Sequence, residues 1–412
     1  MHCLNFKGEQ SLEIIVQKFG GTSVANVQRV LNVAEIVTKT YNDGNDVIVV
    51  VSAQGDTTDD LLDKAKQINE DASKREMDVL LTAGEQISIS LLAIAIEKLG
   101  YPVVSLLGWQ AGFKTDSAYG SARIENIDSS RIEKELDKRN IVIVAGFQGL
   151  NKYDDLTTFG RGGSDTSAVA IASAMNADLC QIYTDVAGIY TADPRVIKSA
   201  KKLTEISYDE MLELASLGAQ VLNNRSVEMA KKYGIELEVL SSFKKLPGTI
   251  VKEVVSVEEM LINGVAKDTN VSRISIVGIP DKPGLAFKIF SKLSARGINV
   301  DIILQSIGRD GTKDITFTVV QEQLKEAKEV LSDYIKAFEN VSILYDDSVA
   351  KVSIVGAGME THPGVATKMF EALYDAQINI QMISTSEIKI SVLIDQDDVD
   401  DAVLAIHNKF FK

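Results

Sequence analysis

The residues best placed to do chemistry lie where apolar runs stop. Ile14–Lys18 has the pattern of a buried strand, and it ends in Lys18-Phe19-Gly20-Gly21-Thr22-Ser23 before a helical stretch begins. Paired glycines let backbone N–H groups approach phosphate oxygens with no Cβ in the way. Lys18 projects a compact positive charge to the same place. The same hexapeptide also reads as a tight strand-to-helix turn with a surface lysine. A second junction, Gly162-Gly163-Ser164-Asp165, opens another helical stretch, and its N–H groups suit a carboxylate or a transferring phosphoryl group. Ser164 or Asp165 also reads as a helix cap, and the two roles are compatible. Imidazole and thiol chemistry have little support. His2, His362 and His407 stand apart from metal partners, and Cys3 and Cys180 are too few for a disulfide framework or a Cys-rich zinc site.

These loops need a scaffold, and the chain supplies one. Ile14–Lys18, Asp46–Ser52, Pro102–Leu107, Ile141–Ala145, Leu179–Thr184 and Glu236–Leu240 read as buried strands rich in Val and Ile. Helical stretches such as Val27–Thr38, Glu76–Leu99, Arg131–Lys138 and Asp165–Met175 lie between them. Strands alternating with helices imply an α/β domain with a largely parallel sheet sandwiched by helices. Pro247-Gly248 and the acidic stretch Glu253–Glu259 mark a transition, which places a first domain at residues 1–255.

The last third carries an internal repeat. Arg273-Ile-Ser-Ile-Val-Gly278 returns as Lys351-Val-Ser-Ile-Val-Gly356, Pro283-Gly284 as Pro363-Gly364, and Gly297-Ile-Asn-Val300 as Gln377-Ile-Asn-Ile380. The last pair is expected to begin a strand in each copy. A strand–loop–helix–strand unit found twice implies two ferredoxin-like βαββαβ modules, at residues 265–345 and 346–412.

Composition narrows the partners. Hydrophobic residues make up 45% and charged residues 25%, the profile of an ordinary soluble protein. No run of about 18 apolar residues appears, and Met1–Gln10 has no secretory h-region, so the expected location is cytoplasmic. The net charge of −15 argues against nucleic acid and anionic membranes as partners. If the substrates are anions, their positive contacts are few and local.

The two repeated units resemble ACT domains, which sense amino acids. The resemblance rests on the Asp281-Lys-Pro-Gly284 and Thr361-His-Pro-Gly364 loops. It implies an effector at each strand–helix junction, with contacts at Asp281, Asn299, Gln305, Thr361, Asn379 and Ile380, and edge-to-edge pairing into a homodimer or larger assembly. The first part resembles the aspartokinases, within the amino acid kinase fold. Lys18-Phe-Gly-Gly-Thr-Ser23 is their N-terminal signature, and Val50-Val-Ser-Ala-Gln-Gly-Asp-Thr-Thr-Asp59, Leu81-Thr-Ala-Gly-Glu-Gln-Ile-Ser88 and Val144-Ala-Gly-Phe-Gln-Gly149 are similar to their later motifs. Phe159-Gly-Arg-Gly-Gly-Ser-Asp-Thr166 and Tyr183-Thr-Asp-Val-Ala-Gly-Ile-Tyr-Thr-Ala-Asp-Pro-Arg195 complete the series in the family's order.

The resemblance implies transfer of the γ-phosphoryl group of Mg-ATP to the β-carboxylate of L-aspartate, with Mg²⁺ carried on the nucleotide, no protein metal site, and lysine and/or threonine as inhibitor. It implies catalytic roles for Lys18 and Asp165, the aspartate keeping the lysine in position. Arg161 would grip the α-carboxylate and Glu85 the ammonium, with Thr58, Gly162, Gly163 and Ser164 also on the substrate. ATP would meet Lys18, Phe19, Gly20, Gly21, Ser23, Thr184, Asp185, Tyr190 and Arg195, beyond the carboxyl end of the strand Leu179–Thr184. Asp185 and Arg195 also read as braces of their own loop.

Other readings are another amino acid kinase, acting on glutamate, N-acetylglutamate, carbamate or a nucleoside monophosphate, or a catalytically silent amino-acid sensor. Gly108-Trp-Gln-Ala-Gly-Phe-Lys-Thr115 superficially resembles a P-loop, but its spacing is wrong. Gly356-Ala-Gly358 lacks the third glycine of a dinucleotide turn. Two departures concern the nucleotide side: Gln220 stands where the family commonly has lysine, and Asn223-Asn224 where it often has His-Pro.

Overall fold

The computed structural model describes residues 12–217, 221–253, 262–307, 311–336, 338, 340–359 and 362–412. Packing divides the chain into two units. The first comprises residues up to Ile189 together with Lys202–Ala215 and Gln220–Ser256; the second comprises Tyr190–Lys201, Ser216–Ala219 and Val257–Lys412.

The first unit opens with β1 (Ile14–Phe19), α1 (Val27–Asn42), β2 (Asp46–Val51), α2 (Thr57–Ile68), α3 (Lys74–Lys98) and β3 (Val103–Leu106). β2 reads Asp-Val-Ile-Val-Val-Val and all but its first residue is buried, the β-branched run expected of a strand covered on both faces. α3 begins at Ser73, whose side chain accepts from the Glu76 N–H, with glutamate at the capping-box position. By length and composition α3 could cross a membrane, but half of its most apolar window is buried in the protein, and it packs against α1, α2 and β3 as a core helix.

The chain continues through β4 (Phe113–Thr115), β5 (Ile124–Ile127), α4 (Ser130–Leu136), β6 (Ile141–Ala145), β7 (Gln148–Asn151), β8 (Leu156–Thr158), α5 (Gly163–Ala174) and β9 (Leu179–Thr184). It closes with β10 (Glu205–Ser207), α6 (Tyr208–Ser216), α7 (Asn224–Tyr233), β11 (Leu237–Ser241) and β12 (Thr249–Lys252). The main sheet has eight strands in the order β10-β12-β11-β9-β1-β2-β6-β3. Only the β11–β12 pairing is antiparallel. The six strands expected from sequence are six of these eight. A smaller sheet, β5-β4-β7-β8, lies outside the sequence expectation. Its strands of three or four residues are too short to set up a period-2 pattern. It also accounts for the P-loop lookalike. A Cβ on Gly108 would fall 2.2 Å from the Gln148 carbonyl oxygen, and Gly112 has φ +88°.

The second unit holds β13 (Gly264–Asp268), β14 (Ser272–Pro280), α8 (Leu285–Ser294), β15 (Ile303–Ile307), β16 (Thr312–Val319), α9 (Leu324–Ile335) and β17 (Ser342–Asp346). It ends with β18 (Val349–Val355), α10 (Val365–Asp375), β19 (Met382–Thr385), β20 (Lys389–Asp395) and α11 (Val399–Phe411). Two four-stranded sheets result, β15-β16-β14-β17 and β13-β18-β20-β19. The first is a complete βαββαβ module. The second draws its outer strand from before the first. β13, expected to open module 1, pairs antiparallel with β18 from Gly264↔Val355 to Asp268↔Lys351. Module 1 is thus inserted into module 2, and a boundary drawn between consecutive segments divides the sheets wrongly. The repeat hid this because β13 has no counterpart in it.

A second difference concerns Gly297–Val300 and Gln377–Ile380, expected to begin strands. Gly297 and Gln377 have φ near +70° and +59° just after α8 and α10, and the ladders start only at Ile303 and Met382. These segments are therefore connections, with Asn299 and Asn379 exposed.

Candidate active site

The site is built at the carboxyl ends of β1, β2 and β9. Lys18 is the fifth residue of β1, and its Nζ lies 2.5 Å from Asp165 Oδ1 in the first turn of α5. Both side chains are nearly buried, 12% and 11% exposed. A pair this poorly solvated is held in one geometry, so the ammonium is aimed rather than free to roam. β1 then turns into Gly20-Gly21. A Cβ on Gly21 would lie 2.7 Å from the Ala53 oxygen and 3.0 Å from the Gly55 oxygen, so the backbone of the loop after β2 fills that space. The Gly55 N–H donates to the Gly21 carbonyl at 3.0 Å, which locks the two loops together.

The other sequence candidates on this side take varied places. The Phe19 ring is fully buried and stacks on Tyr183, with centroids 4.5 Å apart, so only its backbone faces the loop. Ser23 is fully buried and its hydroxyl donates to Ser242 Oγ at 2.8 Å. The Ser242 N–H in turn donates to the Thr184 carbonyl. Gly20 donates to the Tyr183 carbonyl at 3.4 Å. Lys18, Gly20, Gly21, Ser23 and Thr184 are therefore one connected patch, with Thr184 Oγ1 donating to the exposed Asp185. Tyr190 and Arg195 belong to the second unit. They sit in Tyr190–Lys201, where Ala192 and Ile197 join the core of module 2. Arg195 pairs with Asp193. Gln220, and with it the departure from the family's lysine, lies outside the described residues.

Glu85 stands on the buried face of α3, where Gly84 lets the helix close on Ala53. Its Oε1 accepts the Ala53 N–H at 3.0 Å, while Oε2 is buried with no hydrogen-bond partner among the described residues. Burial pushes its carboxyl up to about 7, against the lowering effect of the backbone N–H groups. An orphaned, desolvated carboxylate oxygen is a receptor for a cation such as a substrate ammonium. Ala53 thereby connects Glu85 to Gly21 and the lysine loop. Thr58 is half-buried in the first turn of α2.

Arg161 projects from the loop between β8 and α5 and is exposed; its guanidinium makes no ion pair with any described residue. The following Gly162 is the N-cap of α5 in the left-handed region, φ +71°. Gly163 is fitted against the Phe147 ring, and Ser164 against Gly146. α5 is buried over Gly163–Ala172, so its N-terminal N–H groups and Asp165 are presented by a fixed rod. Among the described residues no group of three or more His, Cys, Asp or Glu is arranged to hold a metal ion.

Sequence reasoning missed three contributors. The Ala53 N–H donates to Glu85 on α3, and Asn223 and Arg225 donate to the loop that carries Arg161. A backbone donor leaves no mark in a sequence, and the side chain of Asn223 was read only as a departure.

The candidate effector residues fall on the connections described above. Gly284 and Gly364, φ +88° and +101°, cap α8 and α10. Asp281 pairs with Lys313 at 2.8 Å, and the Asn299 N–H donates to Gln323 Oε1. Gln305 is exposed on the edge strand β15, Asn379 is exposed, and Ile380 packs against the module 2 core. Thr361 lies outside the described residues.

Comparison with known proteins agrees with the fold. Residues 13–241 match the amino acid kinase family, and residues 272–336 and 352–410 match the ACT domain. The chain belongs to the aspartokinases of the amino acid kinase family. It is 50% identical to the aspartokinase of Bacillus sp. (strain MGA3) over 96% of this chain and 97% of that one. It is 52% identical to that of Geobacillus stearothermophilus over the same shares. Among solved structures, E. coli aspartokinase III in complex with aspartate and ADP superposes with a TM-score of 0.81 at 25% identity, covering 97% of this chain and all of that one. Aspartate kinase from Synechocystis, 44% identical, gives a TM-score of 0.55 over 96% of this chain and 69% of that one.

Proposed function

We propose that this protein transfers the γ-phosphoryl group of Mg-ATP to the β-carboxylate of L-aspartate, giving 4-phospho-L-aspartate and ADP. The observation that carries the reading is the juxtaposition of an aimed Lys18–Asp165 pair with a buried carboxylate, Glu85, whose free oxygen awaits a cation. Phosphate and ammonium receptors then share one patch.

The nucleophile is the substrate's own carboxylate, ionised at pH 7 with an ordinary pKa near 3.9. No general base is needed. A carboxylate oxygen attacks the γ-phosphorus, the bond to the β-phosphate bridging oxygen breaks, and ADP leaves with the electron pair. The obstacle is repulsion between two anions. Lys18, the backbone donors of Gly20 and Gly21 and the N-terminus of α5 offset it. Mg²⁺ arrives with the nucleotide. Arg161 holds the α-carboxylate and Glu85 the ammonium, which fixes the β-carboxylate as the end facing the phosphate.

The regulatory half senses amino acids at the strand–helix connections, with lysine, threonine or both as inhibitor. The supporting features are the open segments after α8 and α10. The edge strands β15 and β19, with exposed Ile303, Leu304 and Ile383, suit pairing with a second copy. A cytoplasmic location fits such a biosynthetic enzyme. The test is ADP release with aspartate, glutamate or N-acetylglutamate as acceptor. Release that depends on aspartate and falls on adding lysine or threonine is the expected result. Release that depends on another acceptor would overturn the substrate assignment.

A further inference from the structure

The loop Phe159–Gly162 carries Arg161 and the left-handed glycine that opens α5, and the Gly160 carbonyl accepts the Gly163 N–H at 3.0 Å. Further support comes from the start of α7. Asn223, the N-cap of that helix, donates from Nδ2 to the Arg161 carbonyl at 3.1 Å, while its Oδ1 accepts the Arg225 N–H at 3.0 Å. A Cβ on Gly162 would lie only 2.3 Å from Asn223 Nδ2, so the two residues interlock. Arg225 donates from one guanidinium nitrogen to the Phe159 carbonyl at 3.2 Å and from the other to the Ala122 carbonyl at 3.1 Å. Ala122 itself donates to the Thr158 carbonyl. One fork thus ties together both backbone segments beside the Arg161 loop.

Arg225 is half-buried and makes no ion pair with any described residue. A guanidinium given to two backbone carbonyls, with the Asp116 carboxylate near it but not paired to it, does two things at once. It fixes geometry, because its planar fork holds both acceptors in one orientation. It also leaves a positive charge behind a loop that must meet an anion, in a chain of net charge −15.

We propose that Arg225, assisted by Asn223, is the positioning residue for aspartate recognition: it holds the Phe159–Gly162 loop so that Arg161 and the N-terminus of α5 converge on the substrate carboxylate. The inference rests on the reading of Arg161 as the α-carboxylate ligand. Arg225 itself touches no substrate.

The experiment is steady-state kinetics of Arg225→Gln, Arg225→Lys, Asn223→Ala and Arg161→Ala, plus the double variant Arg161→Ala/Arg225→Gln. Folding is followed by the fluorescence of Trp109, the only tryptophan. Arg225→Gln is expected to raise KM for aspartate about 10-fold or more, leaving kcat and KM for ATP within about 3-fold. Arg225→Lys keeps the charge but reaches one carbonyl, and falls between. In the Arg161→Ala background, Arg225→Gln should add little, because both act through one contact. If Arg161→Ala leaves KM for aspartate unchanged, the reading of the site itself fails. If Arg161→Ala raises it and Arg225→Gln does not, or the two effects simply add, the positioning role is wrong. Should Arg225→Gln fail to fold, Asn223→Ala carries the same test, and an unchanged KM for aspartate there overturns the proposal.

Discussion

Glu85, proposed above as the ammonium ligand, shows how one side chain can be costly to the fold and kept for the reaction. Its folded pKa of about 7 lies above the ordinary 4.5 because burial penalises the charge. Between those values the folded protein holds a proton that the unfolded chain has lost, so stability falls as pH rises through that window. Glu85→Gln removes the penalty. It should be more stable than the parent at pH 8, by about 1–3 kcal/mol, with the gain shrinking towards pH 5. Thermal melts at the two pH values check this; a gain that does not depend on pH would contradict it. Substrate binding has the complementary dependence. An ammonium prefers the ionised carboxyl, so KM for aspartate should rise as pH falls from 8 to 6, and titration calorimetry should detect proton release on binding. In the proposed mechanism Lys18 acts on the transition state instead. Lys18→Ala should lower kcat by about 10²-fold or more and, by stranding the nearly buried Asp165, also lower the melting temperature of a protein that still folds; near-normal turnover would remove Lys18 from the mechanism.

Elements matter here through the few places where backbones must touch. The loops after β1 and β2 meet at Gly21, where a Cβ would strike two carbonyl oxygens that cannot swing aside. Gly21→Ala is expected to part the loops and cut activity at least about 10-fold, with a melting temperature lowered by only a few degrees, as kinetics beside circular dichroism would show. At this scale the sequence was informative where a pattern was long. Six central strands and the buried helices α1, α3 and α5 follow from Val/Ile runs and helical periodicity; the motifs of Lys18, Arg161 and Asp165 sit at the ends of such elements and that of Glu85 within α3. What escaped were contacts without a pattern: the short strands β4, β5, β7 and β8, the Ala53 N–H on Glu85, and the fork of Arg225. β13 escaped for another reason. A strand that pairs with a partner more than 80 residues on carries no local trace of that partner.

For the molecule as a whole, the interleaved modules imply that the regulatory unit folds as one. β13 completes the sheet of module 2, and Val271, Ile302, Val349, Met382 and Leu393 form a common cluster between the modules. Lys351 Nζ, in β18, reaches Asp268 of β13 and Asp301 beside β15. Within the same unit, Thr191 Oγ1 bonds His407 Nε2 at 2.9 Å, in a buried environment that also faces Lys201 and Lys412. Burial and those cations hold the imidazole below its ordinary 6.5. The unfolded chain therefore binds the extra proton first, and stability contributed here is lost as pH falls below 6.5. Calorimetry from pH 7.5 to 5.5 should show a declining transition that His407→Leu flattens, while the Trp109 signal, which belongs to the first unit with Glu85, shifts the other way.

The central claim is that a β-carboxylate becomes an acyl phosphate, and hydroxylamine tests it most directly. Purified protein with Mg-ATP, L-aspartate and hydroxylamine should yield β-aspartyl hydroxamate, identified by mass spectrometry and by comparison with the α-isomer. ADP release with no hydroxamate, or formation of the α-isomer, would contradict the account of how Arg161 and Glu85 orient the substrate towards Lys18.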